Sequence, residues 1–150
     1  MKITRINLRH LRMTLRTPFE TSFGRSESRD CILIEAHAGN LVGYGECVAD
    51  AEPGYSYETV QTAWHIIRDY LAPAMLSQDI QAPQELQERF SFVRGHPMAK
   101  AGLEMALWDL LGKQAGRSLR EMFGGTQERV AVGVSVGLQA SPGSLVEVVG

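Results

Sequence analysis

Ala99-Lys100-Ala101-Gly102-Leu103-Glu104-Met105-Ala106-Leu107-Trp108-Asp109-Leu110-Leu111-Gly112-Lys113 is the stretch on which the fold turns. Ala99, Leu103, Ala106 and Leu110 recur at helical spacing, so one apolar stripe and a helix over 98–115 are expected, closed by Gly116. Ala99, Ala101, Gly102, Ala106 and Gly112 keep this helix thin, so that another element can approach it closely. Trp108 is expected to supply a large buried area. Glu104 and Asp109 are less comfortable in an apolar helix. Either they sit at an edge, capped or ion-paired, or a buried carboxylate fastens the helix to a neighbouring domain.

Upstream, residues 2–16 alternate apolar and polar through Ile3, Ile6, Leu8, Leu11, Met13 and Leu15. The parity shifts between Ile3 and Ile6, which predicts a bulge or a short break. Cys31-Ile32-Leu33-Ile34-Glu35-Ala36-His37 reads as a second strand and residues 41–48 as a third, with Ala38-Gly39-Asn40 as the turn of a hairpin. Three strands with short connections imply a small antiparallel sheet. Ser56 then offers an N-cap and Glu58 a first-turn acid to a helix carrying Val60, Ala63, Trp64, Ile67 and Leu71. Pro73 should end or kink it. Pro83 opens a second helix with Leu86, Phe90 and Val93 on one face, stopped by Gly95-His96-Pro97.

Downstream, a helical turn over 119–123 leads to Gly124-Gly125, residues 130–138 read as a strand, and Ser141-Pro142 starts a further helix. The order βββ-ααα-β-(α) is that of an α+β domain over 1–128, followed at 129–150 by what looks like the start of a βα repeat.

The chain has 150 residues, 44% apolar and 21% charged, which places it among globular domains with a real core. A net charge of −2 with scattered basic residues predicts no nucleic-acid or anionic-membrane partner. Arg5, Arg9, Arg12 and Arg16 suit a solvated strand face. No run approaches the roughly 18–20 apolar residues of a membrane span, and Met1-Lys2-Ile3-Thr4-Arg5 opens no signal-peptide apolar region. Cys31 and Cys47 fall on neighbouring strands, where a facing pair is conceivable; two buried free thiols in a cytoplasmic protein are the expectation. Neither these cysteines nor His10, His37, His65 and His96 have metal-ligand spacing, and Lys2, Lys100 and Lys113 read as surface residues.

The stretch 99–113, continued by Ser118-Leu119 and Met122-Phe123-Gly124-Gly125, resembles nearly position by position the signature of the mandelate racemase and muconate lactonizing branch of the enolase superfamily. Met122 departs from the family's usual leucine, a change that conserves volume. Pro18-Phe19-Glu20-Thr21-Ser22-Phe23-Gly24, which joins the first two strands, Gly43-Tyr44-Gly45-Glu46-Cys47-Val48 with Pro53-Gly54-Tyr55-Ser56, and Gly133-Val134-Ser135-Val136-Gly137-Leu138 narrow the likeness. Together they are similar to the o-succinylbenzoate synthase and N-acylamino acid racemase group, over the whole chain.

The resemblance implies a capping domain of three antiparallel strands and a helical bundle, followed by the first strand and helix of an incomplete TIM barrel. In that family two cap loops fold over the barrel mouth and meet the distal part of the substrate. By carry-over, Ser22, Phe23, Tyr55 and Ser135 are the substrate-binding candidates. The plainer roles are a core aromatic for Phe23, a helix-entry staple for Tyr55 and an unliganded barrel-interior residue for Ser135. Asp50 and Gly54, flanking the second loop, stand where bulkier or apolar residues are expected and argue against a strictly hydrophobic acyl pocket.

Enolase-superfamily sites are themselves a standing example of a Lys or His base paired with Mg²⁺ that stabilises an ene-diolate. The implied catalytic lysines and metal carboxylates fall beyond Gly150, because a barrel takes about 250 residues and builds its site from many strands. Implied for the full-length protein are Mg²⁺, a small carboxylate substrate, a homo-oligomer and a cytoplasmic location; the 150 residues alone are expected to be inactive. The activity implied is dehydration to o-succinylbenzoate in menaquinone synthesis, N-acylamino acid racemisation, or both. A dipeptide epimerase, a muconate cycloisomerase and a complete non-catalytic α+β binding module remain as alternatives.

Overall fold

Alternating apolar and polar residues build three strands in the computed structural model, which describes residues 1–22, 24–76 and 79–150. They are β1 (Arg5–Thr21), β2 (Gly24–Ala38) and β3 (Leu41–Cys47), in the sheet order β1-β2-β3. The sheet is antiparallel, and β2 pairs with β3 in the register Ile32↔Cys47, Ile34↔Gly45, Ala36↔Gly43 and Ala38↔Leu41. The expected break after Ile3 is real. Ile3 is fully buried outside β1, and Thr4 donates its N–H to the His37 carbonyl before regular pairing begins.

The first two strands run further than expected. Gly24-Arg25-Ser26-Glu27-Ser28-Arg29-Asp30 is polar and reads as a loop, yet it is strand. Pro18 to Thr21 likewise belong to β1 and not to a connection. Over residues 24–27 polar composition marks a strand end without a buried face, and burial begins only toward Asp30. Arg5, Arg9, Arg12 and Arg16 are all exposed, as expected.

The helices are α1 (Val60–Ile66), a π-helical turn (Ile67–Leu71), α2 (Ala72–Met75), α3 (Glu85–Arg89), α4 (Pro97–Ala115), α5 (Leu119–Met122) and α6 (Pro142–Val149). Thr59, not Ser56, caps α1: its hydroxyl accepts from the Thr62 N–H while Thr62 returns the bond. Ser56 instead accepts from the Glu58 N–H. Pro73 neither ends the helix nor leaves it regular. The wide π turn places the Ala72 N–H on the Ile67 carbonyl, and Pro73 falls near the start of the next turn, where no N–H is required. α3 is shorter than the face Leu86, Phe90, Val93 implied, although all three are buried.

α4 lies against β3 with almost no side chain between their backbones. A Cβ on Gly43 would stand 2.1 Å from the Ala106 carbonyl oxygen, and one on Gly45 2.1 Å from that of Gly102. Ile3, Ile32, Ile34, Ile67, Leu71, Leu103, Leu107 and Leu110 fill the core around this seam, fully enclosed. Each such side chain contributes about 1.5–3 kcal/mol relative to exposure. Trp108 is only half-buried, with its ring 4.5 Å from that of Phe123.

Two compact units divide the chain, one of Met1–Leu11 with Asp30–Thr126 and one of Arg12–Arg29 with Gln127–Gly150. In the second, residues 130–138 do not form the expected strand. A strand exists only through ladder partners, and parallel strands in particular need cover on both sides. Val130, Val132 and Val134 are largely exposed instead. The helix expected from Ser141 is present as α6, with the Ser141 hydroxyl accepting from the Ser144 N–H.

Candidate functional site

Three segments carry the residues that the sequence singled out. The first is the tip of the β1–β2 hairpin, in the second unit. Ser22 is exposed in its turn, and the Thr21 hydroxyl donates to the Gly24 carbonyl at 3.3 Å. Arg25 pairs with Glu27 at 3.4 Å and reaches Glu20 at 4.0 Å. Phe23 lies outside the described residues.

The second segment is the loop after β3, in the first unit. Its base is closed by the Val60 N–H donating to the Asp50 carbonyl at 2.8 Å. Tyr55 on its crown is 84% exposed, so it does not act as a staple on the following helix. Tyr57 is the anchored tyrosine: its hydroxyl accepts from the His96 N–H at 3.2 Å. Glu58, expected in the first turn of α1, is instead fully buried. Its carboxylate accepts from the Met98 and Ala99 N–H groups at 2.8 and 3.1 Å and so caps the start of α4. The sequence gives no local sign of this cap, because donor and acceptor stand forty residues apart.

The third segment, residues 130–138, holds Ser135, which is exposed. It meets the hairpin tip through the Leu138 N–H, which donates to the Glu20 carbonyl at 2.8 Å. Ser22 and Ser135 therefore belong to one unit and flank one backbone contact, whereas Tyr55 belongs to the other unit.

The helix acids resolve as edge residues. Asp109 accepts from the Tyr44 N–H at 2.8 Å and from Lys113 at 2.6 Å, and Lys113 also donates to the Val42 carbonyl. Lys113 sits 4.7 Å over the Tyr44 ring. Together they occupy the outer edge of β3, which has no second strand neighbour among the described residues. Glu104 accepts from the Trp108 indole at 3.3 Å.

Cys31 and Cys47 are both buried. Cys47 is opposite Ile32, so the two thiols are offset by one residue and point to opposite faces of the sheet. Burial pushes the Cys47 thiol up to about 11, with Glu58 and Cys31 adding smaller repulsions. Glu35 is held below the ordinary carboxylate range by the Asn7 amide and the Arg9 guanidinium.

The donor set does not fit the metal that the resemblance implies. Among the described residues, no three His, Cys, Asp or Glu side chains converge as ligands. His10 pairs with Asp30 and His65 with Asp69, each with one carboxylate. Nor is any helix among the described residues long and apolar enough to cross a membrane.

Residues 3–124 match the family profile described as mandelate racemase / muconate lactonizing enzyme, N-terminal domain. The chain is 43% identical over 150 residues to an o-succinylbenzoate synthase of Geobacillus stearothermophilus, covering 99% of this chain and 40% of that protein. It is 41% identical over 141 residues to an N-succinylamino acid racemase of Thermus thermophilus, covering 94% of this chain and 38% of that protein. A solved enolase-superfamily structure from Listeria innocua superposes with a TM-score of 0.92 at 40% identity, over 99% of this chain and 40% of its own. The chain thus spans about 40% of the length of the relatives it matches.

Proposed function

Since the chain belongs to the mandelate racemase / muconate lactonizing enzyme family of the enolase superfamily, as its N-terminal domain, we propose that it is the capping part of an o-succinylbenzoate synthase-like enzyme. The boundary is placed near residue 128, with residues 129–150 opening a barrel. The whole enzyme dehydrates a hydroxylated succinyl-cyclohexadiene carboxylate to o-succinylbenzoate, racemises N-acylamino acids, or does both. One observation carries this reading: identity of about 43% to an o-succinylbenzoate synthase extends across 99% of the chain, hairpin tip and second loop included.

Proton removal beside a carboxylate forms a dianionic enediolate, which needs positive charge close to the forming oxygens. Among the described residues no three His, Cys, Asp or Glu side chains converge as ligands, so no such step is assigned to them. The acid–base lysines, the carboxylates and the Mg²⁺ they hold are assigned to the remainder of the polypeptide. The cap contributes closure and specificity. Ser22 and Ser135 supply hydroxyls that can donate to or accept from a substrate acyl group, and Tyr55 supplies an exposed aromatic face. Phe23 is proposed as their apolar neighbour in sequence. A homo-oligomer in the cytoplasm completes the reading.

The test is turnover by the full-length polypeptide with Mg²⁺, offered the hydroxylated cyclohexadiene substrate and N-succinylamino acids in parallel. Aromatisation followed by absorbance, or loss of optical rotation, is the expected result. Turnover of dipeptides or of a muconate in place of both would overturn the assignment in favour of a sister activity.

A further inference from the structure

In residues 130–138 one peptide unit is pinned at both ends. The Leu138 N–H donates to the Glu20 carbonyl at 2.8 Å, and the Gly137 carbonyl of the same unit accepts from the Gln139 side chain at 3.0 Å. Gly137 is half-buried where its valine neighbours Val130, Val132 and Val134 are largely open. A Cβ at position 137 would lie 3.0 Å from the Glu20 carbonyl oxygen, 3.1 Å from the Glu20 nitrogen and 3.3 Å from Cδ2 of Phe19. Two of those three neighbours are backbone and cannot rotate aside. Gly133, four residues earlier in the same segment, would meet nothing within 4 Å. The absence of a side chain at 137 therefore has a local reason that it lacks at 133.

We infer that Gly137 is a positioning residue, which lets the 137–138 peptide dock on the hairpin tip and so fixes the turn that presents Ser22. Glu20 is two residues from Ser22, so a shift of the strand end moves the turn with it. The inference rests on the proposed function, in which this tip meets the distal end of the substrate. It adds that the specificity loop is set by backbone contact from residues 137–138, and not only by its own side chains. Displacements near 1 Å in substrate-positioning elements cost up to about a hundredfold in rate.

The experiment uses Gly137→Ala in the full-length polypeptide, with hydrogen exchange and steady-state kinetics read together. Amides of α4 report that the fold is intact, and Gly133→Ala in the same full-length polypeptide is the exchange control. Expected is about tenfold faster exchange at the Leu138 amide in Gly137→Ala, the loss of one backbone hydrogen bond, and no change in Gly133→Ala. KM for the succinylated substrate should rise roughly tenfold, with kcat held within about twofold. Unchanged exchange at Leu138 overturns the docking contact. Faster exchange with unchanged KM overturns the positioning role and leaves a structural one. A wild-type protein inactive on both substrate classes overturns the proposed function and this inference with it, whereas normal wild-type turnover beside an unaffected variant overturns this inference alone.

Discussion

Gly43 and Gly45 stand where β3 meets α4, and their hydrogens occupy the room that a methyl would need. Gly45→Ala places a methyl 2.1 Å from the Gly102 carbonyl oxygen, so the helix must move off the strand. Overpacking of this kind costs about 1–3 kcal/mol; the expected loss is at the upper end of that range, read as a lower urea midpoint with unchanged slope. Cys47 gives a residue-scale pH effect. Burial holds its proton to about 11, against 9.0 for an ordinary thiol. The unfolded chain releases that proton first, so stability is complete below about 9 and falls as pH rises toward 11. Urea midpoints for wild type and Cys47→Ala should accordingly converge as pH is raised through this window. A gap that stays constant would count against the assignment.

At the scale of elements, what was legible in the sequence was whatever repeats with a buried period. Ala99, Leu103, Ala106 and Leu110 mark α4 and are all buried, and Gly102 and Ala106 are thin where the strand approaches. The hairpin tip was not legible, because its length comes from pairing between β1 and β2 and not from a hydrophobic face. Glu58 was misplaced in α1 for a related reason: local spacing ranks caps by neighbours, and its partners arrive from α4. Of the site, Tyr55 and the two serines could be named from the resemblance, while Gly137 emerged only from the contact with Glu20. Residues 130–138 show the limit from the other side: β-branched residues confer a preference for strand, but pairing requires a partner. The alternating exposed valines remain an uncovered apolar surface. The 150-residue chain is therefore expected to self-associate as its concentration rises, seen as a growing mass in light scattering, and Val132→Lys with Val134→Lys should suppress it. A monodisperse monomer at high concentration would refute this.

For the whole molecule, the family assignment and the local geometry divide the labour in the same way. The described residues supply a sheet, a helical layer packed on its edge strand and two exposed loop crowns, with no converging ligand set among them. The relatives it matches are about two and a half times as long, since the chain covers 40% of them. Under the proposed function, lid and specificity therefore fall to these residues, and proton transfer to the rest of the polypeptide. Deuterium incorporation at the α-carbon of an N-succinylamino acid in D₂O, followed by proton NMR with Mg²⁺ present, tests that division most directly. The account predicts exchange with the full-length polypeptide and none with residues 1–150 alone. Exchange catalysed by the 150 residues, or a full-length protein that neither exchanges this proton nor dehydrates the cyclohexadiene substrate, would contradict it.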